Sequence, residues 1–210
     1  MENSERRPGF FARLLRGLSH PVTTLLFGVM LPAASVAVEM STGICSEAFG
    51  GDLTGDVFQC VAMCSVPVLN FIAWLCCLKG WGVGSKFLRA MCGFSFGISI
   101  VYAFAFLPLS AFGAIFCCFM FWYFGLGFIG LLPSGPLFAT LGALGFKHGI
   151  DKKAGSDGSQ KVKGFAWGVA VAGVVWLAVF TEMGIEAYGM RLAASDDPVL
   201  SAMGVRMLRA

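Results

Sequence analysis

Between Arg89 and Lys147 the chain runs for 57 residues without a single Asp, Glu, Lys, Arg or His. A soluble domain does not hide so long an uncharged apolar run in one piece, so lipid is the solvent this stretch is built for. An α-helix rises about 1.5 Å per residue, and about 20 residues cross a bilayer core of about 30 Å. The stretch is therefore too long for one crossing and barely long enough for three. Both of its ends are basic, and basic segments stay on the cytoplasmic side. Two ends on one side require an even number of crossings, so the stretch reads as a hairpin of two transmembrane helices.

The remaining residues extend this hairpin in both directions. Only 13% of the chain is charged, against about 25% in an average soluble protein, which points to lipid again. The expected fold class is an all-α integral membrane protein, a bundle of about five transmembrane helices over residues 21–40, 57–78, 90–108, 114–132 and 164–188. Residues 1–20 form a cationic lead, in which Arg6, Arg7, Arg13 and Arg16 outnumber Glu2 and Glu5. Phe10, Phe11, Leu14, Leu15 and Leu18 share one helical face there, the pattern of a helix lying on an anionic leaflet. Pro32 would kink the first span. The basic start, the apolar run Val22–Leu31 and the small residues Ser35-Val36-Ala37 also have the form of a signal peptide cleaved near residue 37. Retention as a span is the reading taken here.

Lysine and arginine set the orientation. The loop 41–56 has Glu47, Asp52 and Asp56 and no cation, which places it outside. The loop 79–89 has Lys79, Lys86 and Arg89, and the loop 147–163 has five lysines against two acids, which places both inside. The N-terminus is then cytoplasmic and the C-terminus outside, in a plasma or inner membrane. Within the charge-free stretch the outer turn falls near Leu107–Gly113, at Pro108 and Ser110. Pro133-Ser134-Gly135-Pro136 reads as the end of the fourth span. Residues 133–146, too few to cross again, read as a re-entrant or interfacial segment. The tail 189–210 is expected to hold a short helix opened by Asp196-Asp197-Pro198, with Val199, Leu200, Met203, Met207 and Leu208 as its contact residues.

Chemistry-bearing patterns are few. The two histidines, His20 and His148, both flank spans. No H-E-x-x-H, no P-loop and no pair of Cys-x-x-Cys motifs occurs. Cys76-Cys77 and Cys117-Cys118 carry soft ligands, but adjacent helical residues point about 100° apart and chelate poorly. No catalytic, metal or cofactor site is therefore assigned, and no basic stripe outside the span-flanking loops calls for nucleic acid. Four features remain. Gly93-x-x-x-Gly97 and the series Gly164, Gly168, Ala172 are small-residue faces for close helix packing. Pro67 and Asn70 form a polar break in the second span, and the buried amide needs a partner. Cys45 and Cys60 can form a disulfide in an oxidising outer compartment if their Cα atoms come within about 7 Å; the alternative is that both are simple packing cysteines. Glu39, Glu182 and Glu186 approach the outer membrane face and would make a cation or proton site if the first and fifth spans were neighbours.

Two functions fit these features. One is a non-enzymatic multi-spanning subunit or anchor, whose partners are the lipid bilayer and other membrane proteins or a second copy of itself. The alternative is a small transporter or channel built on the three glutamates. Transporters place ionisable groups near mid-membrane. Here the mid-membrane polar group is Asn70, so the subunit reading leads.

Overall fold

In a computed structural model of the chain every described element is a helix. The structure describes residues 10–42, 57–105, 115, 126–155, 158–195 and 197–208. The chain divides into two compact units, Met1–Ala172 and Gly173–Ala210. Among the described residues, three segments are long and apolar enough to cross a membrane: Pro21–Val38, Lys86–Phe104 and Val162–Thr181.

The first unit opens with α1 (Phe10–Leu18), then α2 (Pro21–Leu25), a π-helical turn (Leu26–Met30) and α3 (Leu31–Thr42). The last three follow one another through right-handed helical backbone at Leu25 and Leu31. Pro32 supplies the reason for the π-turn. In a regular α-helix its ring would collide with the Gly28 carbonyl, and it has no N–H to offer that oxygen. Widening the turn just before Pro32 relieves the clash.

Next come α4 (Val57–Lys79) and α5 (Lys86–Ala105), joined by a turn in which Gly80 (φ 71°) and Gly82 (φ 60°) take left-handed backbone. That conformation costs little without a Cβ. The Ser85 hydroxyl accepts from Leu88 N at 3.1 Å and starts α5.

The fourth long helix, α6 (Leu126–Ala154), corrects the sequence reading. Pro133-Ser134-Gly135-Pro136 lies inside this helix and does not end it, and 133–146 is its middle, continuous helix rather than a re-entrant segment after a break. Tertiary packing decides the matter. Ser134 and Gly135 are buried, and a Cβ on Gly135 would run into the Ser35 side chain of α3. Two prolines cost hydrogen bonds, but the contact they sit beside needs a helix of small residues. The expected outer turn near 107–113, and most of the expected fourth span, lie outside the described residues.

The long helices run in alternating directions. Asn70 of α4 meets Gly28, and Trp74 meets Pro21, so α4 is antiparallel to the rod before it. Arg89 of α5 meets Asp151 of α6, while Ser99 meets Thr140, so these two are antiparallel as well. Arg89 and Lys147, the residues that bound the charge-free stretch, thus come to the same end of the unit. A core of Ala73, Leu88, Met91, Cys92, Phe146 and Ile150 fills the space between α4, α5 and α6 near that end. The helix α7 (Gly158–Ala193) contributes its first half to this unit.

The second unit holds the rest of α7 and α8 (Pro198–Met207). Asp197 caps α8 by accepting from Val199 N at 2.8 Å, and Pro198 takes the first helical position. Ser201 Oγ donates to the Ala193 carbonyl at 3.0 Å. Gly204 is buried so closely that a Cβ would lie 2.6 Å from the Gly189 carbonyl oxygen. The contact face of α8 is therefore Ser201, Gly204 and Met207, with the Leu208 side chain over Gly189 although 45% exposed, whereas Val199, Leu200 and Met203 are exposed.

Candidate functional site: a buried polar ladder

Asn70 is fully buried one turn beyond Pro67, which is buried inside α4. Its Nδ2 donates to the Gly28 carbonyl at 2.7 Å. Pro32, four residues on, has no N–H for that oxygen, so the amide supplies the donor the proline lacks. On its other side Asn70 Oδ1 accepts from Ser95 Oγ of α5 at 2.8 Å. A carbonyl can only accept, so the amide can point only one way round.

The ladder continues along α5 into α6. Ser99 Oγ donates to the Ser95 carbonyl at 2.7 Å. Thr140 Oγ1 lies 2.8 Å from the Pro136 carbonyl and 3.1 Å from Ser99 Oγ, and its single proton serves one of them at a time. Ser95, Ser99 and Thr140 are all buried. One connected chain of neutral groups therefore ties the π-turn, α4, α5 and α6 together. Its members satisfy one another, which is the condition under which buried polar groups hold a core in register.

Ser95 sits in the string Gly93-Phe94-Ser95-Phe96-Gly97, which has the spacing of a hydrolase nucleophile elbow. That motif needs a strand-to-helix turn and a neighbouring base. Here the string lies in mid-helix and the hydroxyl proton goes to Asn70. The two glycines have a packing role. A Cβ on Gly93 would run into the Phe165 carbonyl of α7, and one on Gly97 would lie 2.6 Å from the Ala172 Cβ. From the other side, Gly164 lies against Lys86 and Arg89, and Gly168 against the main chain of Ala90 and Phe94. The two small-residue faces meet each other, and α5 and the first half of α7 run parallel along them.

At the basic end Arg89 is fully buried, and its Nε donates to Asp151 Oδ1 at 3.3 Å. Lys147 Nζ donates to Asp151 Oδ2 at 3.1 Å and stands 5.3 Å from the centre of the Phe165 ring. Lys153 Nζ donates to the Cys77 carbonyl in the last turn of α4.

The side chains of Glu39, Cys60, Glu182 and Glu186, and the whole of Cys45, lie outside the described residues. Among the described residues no group of three His, Cys, Asp or Glu is placed to hold a metal ion. The sequence reading singled out Asn70 but none of its partners. Two signals point to them: Ser95 and Ser99 stand four apart on one helix face, and Pro32 frees a carbonyl four residues earlier.

Replacing Asn70 by Leu is expected to lower stability by about 1–2 kcal/mol, the range for one lost amide bridging two helices inside an apolar bundle. Thermal melting in detergent checks this. A variant that melts with the parent protein would mean that the ladder holds nothing together.

This architecture defines the class to which the chain belongs: a protein whose described residues are all-helical, three of the described helices having membrane-crossing length and apolarity. No protein-family model, no characterised protein and no solved structure matches it. Its function is therefore read from its own residues.

Proposed function

We propose that the chain is a non-enzymatic, multi-spanning membrane subunit or anchor that packs with partner membrane proteins or a second copy of itself. In this reading it crosses the bilayer five times, with the N-terminus cytoplasmic and the C-terminus outside. The observation that carries the proposal is how the polar groups are spent. The ladder from Gly28 to Pro136 uses its donors and acceptors internally, as a structural bundle does and as an open substrate path does not. Apolar side chains face outward instead: Val68, Phe71 and Ile72 on α4, and Trp167 and Val171 on α7. The alternating helix directions and the gathering of Lys79, Arg89, Lys147 and Lys153 at one end support the orientation.

Two measurements test this. With single cysteines on a cysteine-free background, positions 86 and 153 are expected to label from one side of the membrane and position 52 from the other. Labelling of 52 and 153 from the same side would sink the topology. Native purification followed by mass spectrometry is expected to recover a stoichiometric membrane-protein partner or a homo-oligomer. A lone monomer that conducts cations in proteoliposomes, and loses that flux on Glu186→Gln, would replace the subunit reading with the transporter one.

A further inference from the structure

A cleft of about 100 Å³ opens at the basic end of the first unit, where α1 turns into α2 beside the ends of α4 and α6. Ser19 and Pro21 form one wall, Trp74 and Leu78 another, and Gly149 and Lys153 the third. Its walls are fixed. Trp74 Nε1 donates to the Pro21 carbonyl at 2.9 Å, and Lys153 is anchored on the Cys77 carbonyl. The third wall leaves room at Gly149, where an added Cβ would meet nothing within 4 Å.

Charge and shape together select the occupant. An ammonium has three donors, so the bond to Cys77 leaves two on Lys153, which is exposed. Lys79, Lys147 and Lys152 belong to the same end, and Arg13 and Arg16 are exposed on α1. Among the described residues Asp151 is the one carboxylate there, and it is already shared by Arg89 and Lys147. The site is therefore suited to an anion. The volume holds several waters, hence a phosphate group, but not a whole lipid. Exposed apolar side chains flank the cleft along the two helices leading away from the basic end: Val22 and Leu26 on one, Phe71 and Leu78 on the other. A free phosphate or a nucleotide has no use for such a wall, whereas acyl chains do.

We propose that this cleft is a binding site for an anionic phospholipid of the cytoplasmic leaflet, with the phosphate at Lys153 and the acyl chains along the outer faces of α2 and α4. The inference rests on the membrane reading above. It adds a specific lipid partner and gives the amphipathic α1, with exposed Phe10, Leu14, Arg13 and Arg16, a role in covering the headgroup.

The test uses the full chain in a neutral detergent. Phosphatidylglycerol and phosphatidylcholine with matched acyl chains are offered in competition, and bound lipid is counted by native mass spectrometry. Phosphatidylglycerol is expected to be retained several-fold over phosphatidylcholine, and millimolar inorganic phosphate is expected not to displace it. Lys153→Gln is expected to weaken retention about fivefold, the loss of one cation near an anionic headgroup. Lys163→Gln, an exposed cation that does not line the cleft, is expected to leave retention unchanged. Gly149→Trp, which fills the cleft without changing charge, is expected to abolish the preference while the protein still melts cooperatively. Equal retention of both lipids, equal effects of the two lysine variants, or displacement by inorganic phosphate would overturn the site. A chain that needs detergent for extraction yet shows no lipid preference would refute this inference and leave the membrane reading standing. A chain found in the soluble fraction would refute both.

Discussion

Gly168→Val is expected to melt far below the parent protein, with a loss of about 3 kcal/mol or more. Overpacking a close-packed contact costs about 1–3 kcal/mol, because side chains and neighbouring helices can usually shift a little. At Gly168 the obstacle is main chain. A Cβ there would run into the Ala90 carbonyl oxygen and lie 2.6 Å from Phe94 N. Neither atom can rotate away, so relief requires α5 and α7 to separate. Separation would also undo the contacts of Gly93 with Phe165 and of Gly97 with Ala172, which depend on the same close approach. Gly168→Ala is expected to destabilise in the same direction, because the first added carbon already meets the obstacle. Gly173→Ala is the control. It is one turn further along the same helix, exposed, with nothing within 4 Å of an added Cβ. Its expected change is within about 1 kcal/mol and favourable, the difference in helix propensity. Thermal melts of the three variants in one detergent give the ordering. A Gly168→Val protein with the parent's melting temperature would show that the close crossing is absent in solution.

How much of this was legible depends on whether a residue can satisfy its own needs. The hairpin is legible because a long run without charge has few ways to be buried, and the basic residues at its two ends must share a side. In the structure those ends meet at Asp151. Asn70 is legible because an amide in an apolar helix cannot use up both its donor and its acceptor locally. Ser95, Ser99 and Thr140 are not, because a helical Ser or Thr can fall back on the carbonyl four residues earlier, as Ser99 does with Ser95 and Thr140 with Pro136. Nothing in the sequence tells a hydroxyl that stops there from one that also reaches another helix.

Proline and glycine mislead in a different way. Pro133-Ser134-Gly135-Pro136 carries the strongest breaker signal in the chain, yet α6 passes through it. A breaker signal measures local cost. The gain, Gly135 against Ser35 and Gly142 against Gly28, comes from chain about a hundred residues away. Twenty-eight glycines also dilute any one spacing, so Gly142 and Gly145, which meet the Gly28 turn and the Leu18 carbonyl, do not stand out as Gly93 and Gly97 do. The π-turn escapes notice for the related reason that Pro32 signals a disturbance without naming its form.

Asp151→Ala is expected to cost about 3–5 kcal/mol, the usual result of removing one partner from a buried ion pair. Arg89 is 0% exposed, and the Asp151 and Lys147 side chains are 13% and 28% exposed. Water therefore cannot replace the carboxylate at Arg89, and it can do so only in part at Lys147. Without Asp151 the two cations, which the carboxylate now holds close together, would also repel each other. The cluster ties α5 to α6 where the charge-free hairpin begins and ends, so the loss should loosen those helices at their basic ends and leave the polar ladder near Ser99 in place. Two companion variants separate charge from packing. Asp151→Asn keeps the shape and removes the charge, and is expected to fall near Asp151→Ala. The double variant Arg89→Met, Asp151→Leu removes both charges and is expected to recover most of the loss, because an apolar replacement of a buried pair is often neutral or stabilising. Melts of the parent, Arg89→Met, Asp151→Leu and the double variant form a cycle whose coupling energy is expected to exceed about 1 kcal/mol. Salt should change it little, since a pair shielded from solvent is poorly screened. If Asp151→Asn melts with the parent, or if the cycle closes with no coupling, the cluster is a polar rim and the hairpin is held at that end by Leu88, Met91, Cys92, Phe146 and Ile150 alone.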